Sequence, residues 1–251
     1  MMIFFRPEQV APNPQTISPS AFKPQQVMDD WRSMGMMDFL KVSSFEPVSR
    51  DDFKRVHNPQ MVDDVLDLRR RNGFRNTDPQ IAASLPYTSG SMLAAARWTL
   101  ANRCPACSPT GGFHHAGFDE PEGYCTFNGL MVTAVKLLDE GLVRTVSILD
   151  CDVHEGNGTQ NIIDRLGLQR QIQHHSMGYH FQTREQAGPD AVHFEAWLSQ
   201  ALDQCARTDL VLYQAGADPH MDDPLGGVLT GGEMHPVIHK SYDSGFELSG
   251  A

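Results

Sequence analysis

Val143-Arg-Thr-Val-Ser-Ile-Leu-Asp150-Cys-Asp152-Val-His154 is the stretch that decides the fold of this chain. The apolar run from Val143 to Leu149 predicts a buried strand, and polar side chains follow it directly. In open α/β folds, ligands bind at the carboxyl ends of the strands. A second apolar run, Leu210–Gln214, is followed in the same way by Asp218. The sequence therefore predicts two neighbouring strands whose ends carry a site.

Helices alternate with these strands, which predicts crossover connections and a largely parallel sheet. The predicted fold class is therefore α/β, with a central sheet and helices on both faces. A further short strand is predicted at Val42–Val48. The helices predicted from apolar spacing and capping residues are Asp51–Arg70 (broken near Pro59), Ser91–Asn102, Thr126–Glu140, Asn161–Leu166 and Asp190–Ala206, the last with Asp190 as its cap.

The domain organisation predicted from length and composition is simple. The 251 residues suffice for one sizeable core, and neither a linker nor an internal repeat divides them, so we predict a single domain over residues 1–251. Residues 1–30 are rich in proline and glutamine and predict an extended lead-in. A polar loop is predicted from Cys104 to Gly123.

The composition, with 20% charged and 40% hydrophobic residues, is typical of a soluble globular protein. The formal charge of −11 argues against nucleic acid as a partner, because phosphate binding needs clustered Lys and Arg. Residues 1–5 are too short for a signal peptide, and we expect no membrane association. The five cysteines are scattered and favour a reducing, cytoplasmic location, with Cys104 and Cys107 as reduced loop thiols.

Three polar residues at the two predicted strand ends are candidate metal ligands. Asp152 and His154 are two residues apart on an extended segment, so both side chains point to the same side. Asp218 would arrive from the neighbouring strand. Two carboxylates and one imidazole, with vacant positions left, suit Zn²⁺ or a similar divalent ion. The alternative at this point is a polar loop without a metal.

Four motifs in order along the chain match a known family. They are Gly111-Gly-Phe-His114-His115-Ala116, Gly123-Tyr124-Cys-Thr-Phe-Asn128, Asp150-Cys-Asp-Val-His154-Glu-Gly-Asn157-Gly-Thr-Gln160, and Gln214-Ala-Gly-Ala-Asp218 with Asp222-Asp-Pro-Leu-Gly226. Together they resemble the histone deacetylase family, most closely its class II and bacterial deacetylase-like members, with a motif-bearing core over residues 84–230. The resemblance implies a three-layer fold of the arginase/deacetylase type.

The function implied by this resemblance is removal of acyl groups, such as acetyl, by metal-activated water. The resemblance implies that Asp152, His154 and Asp218 hold the catalytic metal, Zn²⁺ or another divalent ion such as Fe²⁺. Backbone oxygens around Asp150, Asp152 and His154 match the structural potassium (K⁺) site of the family. The implied partner is an acylated lysine peptide or an acetylpolyamine, and the oligomeric state is not indicated.

The resemblance also implies which residues move protons. His115 would be the general base that activates the water, with His114 beside it and Asp150 orienting His114. Asn157 falls behind His115, where some members have Asp. A neutral amide there should leave His115 less basic than a carboxylate would.

The resemblance implies that Tyr124 falls at a position that lines the acyl-lysine tunnel, with Gly123 beside it, and that both belong to the substrate site. The acidic stretch Asp119-Glu-Pro-Glu122 precedes them and predicts a solvated loop; the alternative is a region that attracts a cationic substrate. For His174-His175-Ser176, a loop role is predicted in preference to direct metal ligation.

The chain also departs from the family pattern. The Gly-Gly-Tyr segment, whose tyrosine is the second oxyanion donor of the family, does not occur in the 251 residues, and Tyr242 cannot be assigned this role by spacing. Residues 235–251 form a divergent tail, so a truncated or divergent C-terminal portion is predicted. Glu155 stands where His is frequent, and the stretch from Phe181 to Asp218 is shorter than in typical members.

Three functions compete at this point. The first is a metal-dependent amidohydrolase that acts on acyl-lysine or acetylpolyamine. The second is a catalytically impaired deacetylase-like protein that binds metal and acyl-lysine without efficient turnover, because the loss of one oxyanion donor costs roughly 10²–10³-fold in rate. The third is an arginase-like binuclear manganese hydrolase, which would need ligands for a second ion.

Overall fold

The computed structural model describes residues 1–12, 18–224 and 227–234. The predicted tail over residues 235–251, Tyr242, and the last two residues of the Asp222–Gly226 motif lie outside this part of the chain. The chain divides into two compact units, the first comprising Met1–Glu140 with Asn157–Gly167 and the second Gly141–Gly156 with the residues from Leu168 onward. The single domain predicted over residues 1–251 stays a prediction, and each unit is described by itself.

The first unit contains a small parallel sheet of three strands, β1 (Met2–Phe4), β2 (Lys41–Ser43) and β3 (Ala106–Cys107). Strand β1 lies in the middle, and its Ile3 is opposite Val42 on one side and Cys107 on the other. The side chain of Ile3 is fully buried. The strand predicted at Val42–Val48 is therefore present but shorter, and β1 was not predicted.

Six α-helices lie in the described residues of the first unit. They are α1 (Lys23–Ser33), α2 (Arg50–Lys54), α3 (Pro59–Leu66), α4 (Pro79–Asn102), α5 (Gly129–Asp139) and α6 (Asn157–Leu166). The predicted break near Pro59 is confirmed. Helix α3 begins at that proline, where the missing N–H is not needed, and the side chain of Asn58 caps it by accepting from Gln60 N–H and Met61 N–H.

Two predictions in the first unit are wrong. Residues 1–30 are not an extended lead-in, because they include β1 and most of α1. Pro24 lies in the first turn of α1, where proline is tolerated. Helix α4 begins at Pro79 instead of Ser91, since Asp78 caps it, and it continues through Pro86, whose carbonyl accepts from Val48 N–H.

The second unit is built on a parallel sheet of β4 (Val146–Asp150), β5 (Ile172–Ser176) and β6 (Leu210–Gln214), with β4 in the middle. Every residue of β4 is buried, as predicted for a strand covered on both faces. The prediction for Leu210–Gln214 is confirmed, and the strand predicted at Val143–Leu149 begins three residues later and ends one residue later. The parallel strands and helices confirm the α/β class.

Helices α7 (Arg184–Ala187) and α8 (Val192–Cys205) belong to the second unit. Helix α8 starts later than predicted, and Asp190 is not its cap, because Asp190 and Ala191 both have positive φ angles, 50° and 55°. Phe194 of α8 is buried and meets the ring of Phe181 edge-on at 5.6 Å. These apolar contacts hold α8 to the unit that carries the strand ends.

None of the helices in the described part of the chain is long and apolar enough to cross a membrane. All five cysteines lie within the described residues and are free thiols, as predicted for Cys104 and Cys107. Cys107 belongs to β3, so the loop predicted from Cys104 to Gly123 is interrupted by a short strand.

Candidate metal centre and histidine pair

The carboxyl end of the sheet in the second unit gathers the polar residues that follow its strands. Asp150, the last residue of β4, is opposite Ser176 of β5 and Gln214 of β6. The three strands therefore end at one level, and the segments after β4 and β6 leave the sheet side by side. This register brings Asp152 and Asp218 to the same edge.

Asp152, His154 and Asp218 converge on one point, and their ligand atoms all lie within 4.8 Å of one another. The Nδ1 atom of His154 lies 3.0 Å from Oδ1 of Asp152 and 2.8 Å from Oδ2 of Asp218. Both aspartate side chains are 15% exposed and the histidine is 40% exposed. The triad is thus mostly sheltered, yet one side of the imidazole remains open to solvent.

Backbone contacts fix the orientation of the triad. The N–H of Val153 donates to Oδ1 of Asp218 at 3.2 Å, and the N–H of His154 donates to Oδ1 of Asp152 at 2.9 Å. Gly216 allows the two chain segments to approach, because a Cβ at this position would lie 2.6 Å from the Cα of Asp152. A side chain at position 216 would therefore push the ligands apart.

The charges of the triad show that it suits a cation. Burial raises the pKa of Asp218 to about 7, and the hydrogen bond and charge of Asp152 act in the same direction. Burial opposes protonation of His154, but its hydrogen bond to Asp152 and the charges of Asp152 and Asp218 raise its pKa overall. Both pKa shifts mean that the triad takes up protons more readily than isolated side chains would, and two carboxylates with one imidazole are a donor set that a divalent ion prefers.

Metal binding should therefore strengthen with pH. Because Asp218 has a raised pKa, its contribution to the stability of the metal-free protein is present at low pH and is lost as pH rises through about 7. Metal replaces the proton above that pH. The increase in unfolding temperature on adding Zn²⁺ should be small at pH 5 and large at pH 8, as measured by thermal unfolding with and without metal. An increase that is equal at both pH values would contradict this reading of Asp218.

A buried polar layer lies next to the triad in the second unit. Asp150 is fully buried, and its Oδ1 accepts from the N–H of Asp152 at 3.2 Å. Nε2 of His174 lies 3.8 Å from Oδ2 of Asp150. The N–H of Gly156 donates to Oγ of Ser176, and a Cβ on Gly156 would lie 2.5 Å from Oδ2 of Asp150. These contacts fix the carboxylate of Asp150, while its predicted role in orienting His114 stays a prediction.

The loop interpretation of His174-His175-Ser176 is wrong. All three residues belong to β5, and the side chain of His174 is 1% exposed. Neither histidine is part of the triad, so the prediction that they are not metal ligands fits the geometry. No apolar run marks this strand in the sequence. The segment is a strand because its backbone pairs with β4.

The histidine pair lies in the first unit. The rings of His114 and His115 are 4.1 Å apart, and His114 is buried while His115 is partly exposed. Nδ1 of His115 lies 2.7 Å from Oδ1 of Asn157, the first residue of α6. The N–H of Thr159 donates to the carbonyl of His114 at 2.9 Å. The predicted placement of Asn157 behind His115 is thus present in the structure.

Gly123 lies against His115 within the same unit, and Tyr124 follows it along the chain. Both have positive φ angles, 54° and 62°, and a Cβ on Gly123 would lie 2.4 Å from Cδ2 of His115. Only glycine allows this contact with the imidazole. Tyr124 is 41% exposed, and its ring lies 5.7 Å from that of Phe74. Gly123 therefore contacts His115, and Tyr124 is an exposed aromatic residue directly after it.

Two residues of the first unit have contacts that the sequence did not predict. Oε2 of Glu122 accepts from Nδ2 of Asn157 at 3.3 Å, so this residue is more than part of a solvated loop. His57 is fully buried; its Nδ1 contacts the carbonyl of Gly117, and its Nε2 accepts from the N–H of Asn128. Burial lowers the pKa of His57 to about 4, so it is a neutral structural residue. Neither role has a signal in local sequence.

Comparisons with known proteins identify the family to which the chain is similar. A family model described as "Histone deacetylase domain" matches residues 19–181. Acetylpolyamine amidohydrolase 1 of Pseudomonas aeruginosa is 32% identical over 142 residues, which are 47% of this chain and 40% of that protein. Histone deacetylase 10, chloroplastic, of Oryza sativa subsp. japonica is 25% identical over 252 aligned residues, with 84% of this chain and 57% of that protein covered. The chain thus spans about half the length of these curated relatives.

A solved structure shows the same fold. The crystal structure of the HDA15 HD domain superposes with a TM-score of 0.72 over 90% of this chain and 74% of that domain, at 18% sequence identity. At this identity the likeness concerns the fold alone.

Proposed function

The chain belongs to the histone deacetylase family, and we propose that it is a metal-dependent amidohydrolase that removes acetyl or related acyl groups from lysine side chains or polyamines. The convergence of Asp152, His154 and Asp218 within 4.8 Å is the observation that carries the proposal. One relative is named an acetylpolyamine amidohydrolase and another a histone deacetylase, so both polyamines and lysine side chains are proposed as substrates.

The three residues of the triad would hold Zn²⁺ or another divalent ion such as Fe²⁺, with positions left for water and substrate. When bound, such an ion supplies Lewis-acid polarisation of the amide carbonyl and of water. Asp150 is buried with its carboxylate fixed, and we assign to it the orientation of His114. The family's potassium site, formed by backbone oxygens around Asp150, Asp152 and His154, is part of the same proposal.

His115 is the general base in this proposal. The 2.7 Å contact between its Nδ1 and Oδ1 of Asn157 fits a neutral imidazole that carries its proton on Nδ1. Nε2 then carries the lone pair that takes a proton from the attacking water and returns one to the departing amine. His114, which is buried beside it, would share in this proton handling, and Gly123 and Tyr124 would line the path of the acyl-lysine chain.

A direct assay tests the proposal. The protein, loaded with Zn²⁺ or Fe²⁺, should release acetate from an acetyl-lysine peptide or from an N-acetylated polyamine, and removal of the metal with a chelator should abolish the release. Acetate formation and metal content are measured on the same samples. A protein that holds one metal and binds the peptide but hydrolyses neither substrate would favour the alternative, a catalytically impaired deacetylase-like protein.

A further inference from the structure

Three side chains of the first unit form a chain of hydrogen bonds that ends at the proposed base. Oε2 of Glu122 accepts from Nδ2 of Asn157 at 3.3 Å, and Oδ1 of Asn157 faces Nδ1 of His115 at 2.7 Å. The roles proposed so far include His115 and Asn157. They do not explain why a carboxylate stands at the far end.

The amide of Asn157 can present either of its two ends to His115. If Oδ1 faces the ring, Nδ1 of His115 must carry the proton and Nε2 is the basic atom. If Nδ2 faces the ring, Nδ1 must accept, the proton moves to Nε2, and the base is lost. Asn157 by itself does not distinguish these two states, because both ends can form a hydrogen bond.

Glu122 removes this ambiguity because an ionised carboxylate only accepts hydrogen bonds. It requires Nδ2 of Asn157 to point toward it, so that Oδ1 is left for His115. The orientation of the amide and the tautomer of the imidazole thus follow from the charge at position 122.

The backbone keeps Glu122 in place for this role. Its N–H donates to the carbonyl of Cys125 at 3.0 Å, and the N–H of Cys125 donates to the carbonyl of Glu122 at 2.7 Å. The next residue, Gly123, contacts the ring of His115. At the other end, Gly158 lies directly against the backbone of His115, so Asn157 is held at a fixed position before it. Glu122 and Asn157 are therefore both held next to His115, the first beside its ring and the second beside its backbone.

We propose that Glu122 is a positioning residue that sets the amide orientation of Asn157 and thereby holds His115 in the tautomer with a free Nε2. The expected effect on turnover rests on the proposed function, whereas the predicted tautomer of His115 does not depend on it. Through Asn157, the carboxylate of Glu122 is connected to His115, whose direct hydrogen-bond partner is a neutral amide.

The test replaces Glu122 with lysine, whose side chain donates hydrogen bonds but cannot accept them. In Glu122→Lys, the ammonium group should attract Oδ1 of Asn157, turn Nδ2 toward His115 and reverse the tautomer. Side-chain ¹⁵N shifts of His115 at high pH, where the ring is neutral, report which nitrogen carries the proton, and loss of the signal in His115→Asn assigns it. The rate kcat should fall about tenfold or more, within the range of a general base. Glu120→Lys, with the same charge change in the same loop, should alter neither.

A second background separates positioning from folding. In Asn157→Asp, the carboxylate accepts from Nδ1 of His115 whichever residue is at position 122. Adding Glu122→Lys to this variant should therefore leave the tautomer of His115 unchanged and should change kcat by less than about twofold. Unchanged ¹⁵N shifts in Glu122→Lys alone, or equal losses in both backgrounds, would overturn the proposal. If the wild type hydrolyses neither substrate, the ¹⁵N shifts still decide about Glu122, whereas the proposed function fails.

Discussion

The Asp218→Asn variant should bind divalent metal about a hundredfold more weakly than the wild type and should lose turnover with it. Apparent binding free energies of roughly 10–16 kcal/mol for zinc shared among about four ligands amount to about 3 kcal/mol per ligand. Asparagine keeps an oxygen for the N–H of Val153, so the backbone contact is preserved and only the charge is removed. Competition with a chromogenic chelator measures the affinity, and elemental analysis after dialysis measures the metal content.

Two controls make this result specific to the ligand. Asp222→Asn removes the same charge from a highly exposed side chain in the following segment and should keep wild-type affinity. Metal-free Asp218→Asn should be at least as stable as the metal-free wild type at pH 8, because the raised pKa of Asp218 shows that the fold favours its neutral form. One equivalent of metal at wild-type affinity would refute the assignment, and two ions per wild-type chain would favour the arginase-like alternative.

Strands β4 and β6 of the second unit could be predicted because each is marked by a run of apolar residues, which indicates a buried strand. Leu210–Gln214 was predicted with its observed bounds, whereas the start of β4 was predicted three residues too early. The observed start follows from the pairing of Val146 with Ile172 and Leu210. This pairing involves residues far apart along the chain, and local hydropathy does not encode it.

Strand β5 could not be predicted, for a related reason. Gln173, His174 and His175 offer neither an apolar run nor an alternation, and their strand conformation follows from pairing with β4. The burial of His174 beside Asp150 is therefore a tertiary effect. The predicted start of α8 was wrong because Asp190 and Ala191 both have positive φ angles, which interrupt the helix before Val192. The fold tolerates the energetic cost of this backbone conformation.

The triad was predictable from spacing, since residues two apart on an extended chain point the same way and strand ends meet at one edge. The spacing does not reveal how Asp152 and Asp218 affect each other. Burial and the neighbouring carboxylate raise the pKa of Asp218 to about 7, and both effects depend on the close approach at Gly216. Glu122 was missed for a similar reason, because its partner Asn157 is 35 residues away.

The His115→Ala variant should lose turnover by about 10²–10⁴-fold while it keeps its metal, because it removes a proton-transfer group and no ligand. His115 is not a member of the triad, whose three ligand atoms converge without it. Initial rates on an acetyl-lysine peptide measure the first effect, and elemental analysis of the same sample measures the second. The pH profile of kcat/KM should also lose the limb that belongs to the base.

The control for His115→Ala is His193→Ala, which removes an exposed imidazole whose Nδ1 contacts the carbonyl of Gln186. This variant should keep both rate and metal. If His115→Ala released the metal as readily as Asp218→Asn, His115 would be a ligand or a support of the metal centre and its assignment as base would be wrong. If it kept the metal and also kept the rate, another group would supply the base. Only the loss of rate with retained metal separates proton transfer at Nε2 of His115 from metal binding by Asp152, His154 and Asp218.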